Sequence, residues 1–167
     1  MKAVVFTRYG SPDVLNLADI PTPTPRDTEL LVRIHTTTVS PVDCSFRAGD
    51  PFITRFYLGL RRPKKTVLGT ALAGEVVALG KDVSQFQPGD QIFAAPADGT
   101  GAHAQYICLP AAGALAKTPP GMPPEQAVSL CDGALTALPF LRDSARIRRG
   151  QRVLIVGASG AIGTSAV

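Results

Sequence analysis

The residues best placed to do chemistry stand near the end of the sequence: Gly157-Ala158-Ser159-Gly160-Ala161-Ile162-Gly163, directly after the apolar run Arg152 to Val156. A strand, a glycine-rich turn and a helix start, in that order, make a cradle for the pyrophosphate of a dinucleotide. The turn needs residues free of side-chain sterics and the backbone must come close to the phosphates. The new helix offers unpaired N–H groups and the positive end of its dipole. The candidate cofactor-binding residues are Gly157, Ser159, Gly160, Ala161, Ile162 and Gly163. Ala158 replaces the usual first glycine, so the spacing is Ala-x-Gly-x-x-Gly, and the preceding strand gives the motif its weight. The residue that reads the ribose 2′ position, about 20 positions further on, would fall beyond Val167, so NAD and NADP are not told apart.

Metal chemistry has little support from spacing. His35 and His103 have no partner at ligand spacing, and Cys44, Cys108 and Cys131 form no CxxC pair. The three cysteines read as small buried hydrophobes, and their odd number suits a reducing, cytoplasmic setting. The N-terminus shows no signal peptide and no apolar run nears the roughly 20 residues of a membrane span, so no membrane partner is expected. The net charge is +4, with basic clusters at Arg61-Arg62-Pro63-Lys64-Lys65 and at Arg142, Arg146, Arg148 and Arg149. Both read first as solvated faces, and second as attractors of an anion such as a cofactor phosphate. With 6% aromatic residues and no Trp, base stacking on nucleic acid is not expected.

The elements that must position these residues fall into two stretches. Up to about residue 120, short strands alternate with Gly and Pro: Lys2 to Thr7, Val14 to Ile20, Glu29 to Val39, Leu72 to Leu79, Gln91 to Ala95, Gln105 to Leu109 and Ala114 to Lys117. In the third, Leu30, Val32 and Ile34 share one face. A short helix over Pro41 to Gly49 and a loop or short helical excursion over Asp50 to Lys65 interrupt them. This pattern predicts a mainly β, barrel-like domain over 1–120. Pro119 to Pro124 marks a boundary, and 121–167 reads as a linker helix and the beginning of a dinucleotide-binding domain. Glu125 to Arg142 has helical spacing, weakened at Gly133 and Pro139. Arg152 to Val156 has no local strand partner, so the chain is expected to be a fragment of a longer protein.

The order of these parts resembles the medium-chain dehydrogenase/reductase superfamily, and within it the zinc-free quinone oxidoreductase-like branch. The matching segments are MKAVVFTRYGSPDVLNL, SPVDCSFRAG, LGTALAGEVVALG, FQPGDQIFA, GAHAQYI and VLIVGASGAIG. The resemblance implies a GroES-like β-barrel followed by a truncated Rossmann domain, with the nicotinamide between them. It favours NADPH over NADH and implies a homodimer formed through the other half of the protein. Zinc-dependent relatives carry a Cys, a Gly-His-Glu segment and a later Cys. Here Ser40 holds the first position, Cys44 comes four residues late, and Thr70 and Ala71 follow Gly69, so the resemblance implies no metal site.

The same resemblance marks Ser40, Asp43, Arg47 and Thr136 as candidate contacts to substrate or nicotinamide; no catalytic residue is singled out. Each has a plain structural alternative. Ser40 can cap the helix, Asp43 and Arg47 can pair four apart on one helix face, and Thr136 can bond back to its own helix. The implied activity is zinc-independent, NAD(P)H-dependent hydride transfer to a small carbonyl, enone or quinone by the intact protein, with the isolated fragment inactive. The rival readings are a non-catalytic GroES-like binding module and a zinc alcohol dehydrogenase with displaced ligands.

Overall fold

A computed structural model describes all residues from Met1 to Val167. Its centre is a five-stranded antiparallel sheet of β3 (Glu29–Thr37), β4 (Leu72–Leu79), β5 (Gln91–Ala94), β6 (Tyr106–Pro110) and β7 (Leu115–Lys117), in the order β6-β3-β4-β5-β7. A hairpin of β1 (Lys2–Val5) and β2 (Asn16–Asp19) joins it through single bridges, Ala3 with Ala104 and Val5 with Val67. The β-rich character expected of the first 120 residues is therefore present, as an open sheet with an attached hairpin.

The period-2 pattern explains why these strands stack as they do. Leu30 and Val32 of β3 meet Leu72 and Val76 of β4, Ile92 and Ala94 of β5 and Leu109 of β6 in one buried cluster. The opposite face of β4 is also covered. Ala71 and Ala73 lie against Ala127, Val128 and Cys131, so the helix α3 (Pro124–Ser129) packs directly on the sheet. Small alanines at 71 and 73 let that helix approach closely.

Between β3 and β4 lie α1 (Pro41–Ala48) and α2 (Thr54–Leu58). Ser40 and Gly49 bound α1, with Gly49 at φ 66°. The second falls in the stretch expected to be a loop or helical excursion.

Two expectations fail. The helix over 125–142, expected to weaken or kink at Gly133 and Pro139, is instead divided into three pieces: α3, α4 (Gly133–Pro139) and a π-helical turn at Phe140–Ser144. Pro139 has no N–H to give its own helix, and the next turn widens to an Ala145 N–H to Phe140 carbonyl bond of 2.8 Å. Arg152 to Val156 is not a strand: no ladder pairs it, and Val153, Leu154 and Val156 are 50%, 88% and 90% exposed. A strand is defined by its neighbour, and no second strand of that sheet lies within these residues. The glycine turn and the helix α5 (Ala161–Ala166) form nonetheless.

Candidate active site

The helix α1 presents three of the four residues singled out, Ser40 and Asp43 at its start and Arg47 in its last turn. Ser40 caps it: its hydroxyl accepts from the Asp43 N–H at 3.4 Å, and the Asp43 carboxylate accepts from the Ser40 N–H at 2.8 Å and from the Ser40 hydroxyl at 2.9 Å. The other carboxylate oxygen of Asp43 accepts from the Gly69 N–H at 3.0 Å. Asp43 is 3% exposed, so this buried carboxylate is satisfied on both oxygens and ties α1 to the start of β4's loop.

The expected pairing of Asp43 with Arg47 does not occur. Arg47 turns the other way and donates to the Gly10 carbonyl at 2.7 Å. Asp43 is already saturated by backbone and hydroxyl donors, and no sequence rule for a helix face sees donors that arrive from residue 69.

Asp43 and Arg47 both line a concave, mostly apolar cavity of about 630 Å³ between the β1–β2 hairpin, β3 and α1. Ser40 and Thr136 lie outside that lining. A second chain of bonds links their neighbourhood. The Thr38 hydroxyl donates to Asp132 at 3.2 Å, the Thr136 hydroxyl donates back to the Asp132 carbonyl at 3.0 Å, and a His103 ring nitrogen lies 3.0 Å from the Thr38 carbonyl. Thr37 donates to the Ala71 carbonyl at 2.7 Å. Gly69 thus holds Asp43 from 26 positions away and Thr38 holds Asp132 from 94, pairings that no local pattern marks, while the Thr136 bond to Asp132 is the back-bond within its own helix expected above.

The three cysteines divide. Cys131 is buried and Cys108 partly buried, and burial pushes each thiol up to about 11, with the Asp132 and Glu29 charges adding to it respectively. Cys44 is exposed and lines the cavity, contrary to the reading that all three are buried. It sits on the solvent side of α1, one residue past the inward-facing Asp43. No group of three or more His, Cys, Asp or Glu side chains comes together in a way that could hold a metal.

The glycine turn has the shape a pyrophosphate requires. Gly157 has φ 79°, and a side-chain carbon there would meet nothing within 4 Å, so open space lies before the turn. At Gly163 the reverse holds, since an added carbon would collide with the Gly157 carbonyl and approach the Ala158 Cα at 2.7 Å. The Gly160 N–H bonds the Gly157 carbonyl at 3.0 Å, leaving the amides that open α5 without an intrahelical acceptor. Gly133, which weakens α4 as a helix, meets α5 so closely that a side chain there would strike the Ala161 carbonyl and the Ser165 hydroxyl. These residues fit a dinucleotide phosphate: open in front, tight behind, with free donors.

The sequence pattern of the alcohol dehydrogenase GroES-like domain matches residues 26–120. The chain belongs to the alcohol dehydrogenase GroES-like family. Within the medium-chain dehydrogenase/reductase superfamily it falls in the quinone oxidoreductase-like branch. It is 33% identical to human quinone oxidoreductase over 167 residues, which is 99% of this chain and 48% of that protein. The quinone oxidoreductase of Coxiella burnetii superposes with a TM-score of 0.86 at 32% identity, over 99% of this chain and 51% of that one. The quinone oxidoreductase of Escherichia coli complexed with NADPH gives 0.83 at 26% identity, over 99% and 48%. The chain spans about half the length of the curated relatives it matches.

Proposed function

We propose that the chain is the N-terminal half of an NAD(P)H-dependent oxidoreductase that transfers hydride, without zinc, to an enone, quinone or other carbonyl acceptor. The observation that carries this reading is the glycine turn of Gly157 to Gly163, open before Gly157 and closed behind Gly163, on a chain similar to quinone oxidoreductases over 99% of its length. Residues 1–120 are the substrate-side domain and 121–167 the linker and the beginning of the cofactor domain. NADPH is the favoured cofactor, a homodimer the favoured assembly and the cytoplasm the favoured location.

When bound, the nicotinamide supplies the hydride. Gly157, Ser159, Gly160, Ala161, Ile162 and Gly163 hold the pyrophosphate through backbone amides. The Ser40 hydroxyl would donate to the acceptor oxygen, and the Thr136 hydroxyl, once turned from the Asp132 carbonyl, to the carboxamide or ribose. Ser40 can turn its hydroxyl from Asp43 without unsatisfying the carboxylate, which keeps two backbone N–H donors. Asp43 and Arg47 hold α1 in place. The Ser40 and Thr136 hydroxyls are weak acids, so an acceptor whose developing charge is spread by conjugation suits them better than a simple ketone.

The test is the full-length protein with NADPH or NADH and, in turn, a quinone, an enone and a simple ketone, and with NADP+ or NAD+ and a simple alcohol, with metal content measured alongside. Reduction of the conjugated acceptors by metal-free protein supports the reading. Turnover of alcohols alone, abolished by a chelator, replaces it with a zinc alcohol dehydrogenase; no turnover and no nicotinamide binding leaves a non-catalytic module.

A further inference from the structure

The segment from Phe52 to Lys65 takes no part in the reading above, and it differs from the rest of the molecule in both charge and exposure. It holds five of the seventeen basic residues and none of the thirteen acidic ones, so the remainder of the chain is close to neutral. Phe52, Ile53, Phe56 and Leu60 are 57%, 72%, 71% and 52% exposed. They form a tip, with the Phe52 and Phe56 rings edge to face at 5.8 Å. Arg61, Arg62 and Lys64 beside it are exposed and have no carboxylate partner.

The base of this tip is fixed. The Arg55 guanidinium lies over the Tyr9 ring at 4.7 Å and donates to the Gly49 carbonyl at 3.1 Å. Lys65 pairs with Asp98 at 2.7 Å, and the Tyr57 hydroxyl donates to the Asp98 carbonyl at 2.9 Å. An apolar tip is thus held out from the fold by its own anchors, with three free cations at its shoulder.

We infer that this tip docks the protein on an anionic lipid surface, Phe52, Ile53, Phe56 and Leu60 entering the headgroup layer and Arg61, Arg62 and Lys64 meeting the lipid phosphates. The charge pattern chooses the occupant. Arg61, Arg62 and Lys64 find no carboxylate within the chain, and three adjacent free cations attract a surface that is itself anionic. A lipid interface is apolar at depth and anionic at its rim, which complements aromatic and aliphatic side chains flanked by Arg and Lys. No helix is long and apolar enough to cross a membrane, so the contact is one of lying on the surface.

The experiment is co-sedimentation of the full-length protein with vesicles of phosphatidylcholine alone and of phosphatidylcholine mixed equally with phosphatidylglycerol. Binding is expected to the mixed vesicles only and to weaken with added salt. The triple variant Arg61→Glu, Arg62→Glu, Lys64→Glu should bind at least ~10-fold more weakly. The double variant Ile53→Ser, Phe56→Ser should also lose binding at low salt, while both keep the parent's circular dichroism and melting, because every altered side chain is exposed. No binding to mixed vesicles, equal binding to both kinds, or unchanged binding by either variant overturns the inference. So does slow maleimide labelling of an Ile53→Cys variant made with Cys44→Ser in vesicle-free protein, since that would show the tip covered by another protein segment.

Discussion

The sheet of residues 29–117 and the glycine-turn region of residues 150–167 carry equally apolar strand sequences, yet only one of them makes strands. Leu30 and Val32 are fully buried in a ladder with β4 and β6, whereas Leu154 and Val156 stand almost wholly in solvent. The turn that follows them forms all the same. A glycine turn and one helical turn are closed by bonds spanning three or four residues, such as Thr164 N–H to the Gly160 carbonyl at 2.8 Å. A strand needs a partner brought from a distance. The glycine turn is therefore local in its geometry, and the strand before it depends on partners from a distance.

The largest effect should come from breaking the supported side. Leu72→Ala, at a fully buried position in the main cluster, is expected to cost about 3 kcal/mol in urea unfolding of the chain. Asp43→Ala comes next. It strips acceptors from the Ser40 and Gly69 N–H groups in a buried site, for about 2 kcal/mol, and Asp43→Asn should recover part of it. A smaller, pH-dependent effect belongs to Cys108 and Cys131. Their folded thiols titrate near 11, above the usual 9, so the folded chain holds these protons longer than the unfolded one. Their contribution is full below about pH 9 and is lost as pH rises toward 11; Cys131→Ser should flatten that part of the stability profile. Iodoacetamide at neutral pH should modify the exposed Cys44 well before either. The smallest effect should be on the unsupported side: Leu154→Ala, within about 0.5 kcal/mol of the parent in this chain. A loss for Leu154→Ala as large as that for Leu72→Ala would erase the contrast between the two regions.

The same contrast decides what could be read from the sequence. The alternation of Leu30, Val32 and Ile34, the capping of α1 by Ser40 and its end at Gly49 depend on near neighbours, and each stands where the pattern predicts. The strand at 152–156 depends on partners outside these residues and is absent. Asp43 and Arg47 have the spacing of an ion pair, but the spacing says nothing of Gly69 and Gly10, which claim them instead. Thr38 and Asp132 escaped notice because 94 residues separate two groups that meet at 3.2 Å. Of the candidate site, the turn and helix of 157–166 were legible, whereas the long-range bonds of Asp43, Arg47 and Thr38 were not.

Gly133 has a consequence beyond helix weakness. Because α5 leaves no room for even one carbon there, that position works as a ruler for the gap between α4 and α5. A homologue with alanine or anything larger at the equivalent place must carry its α5 further out, and its cradle with it. One letter in an alignment would then report how far α5 and the glycine turn stand from α4, before any of those homologues is crystallised.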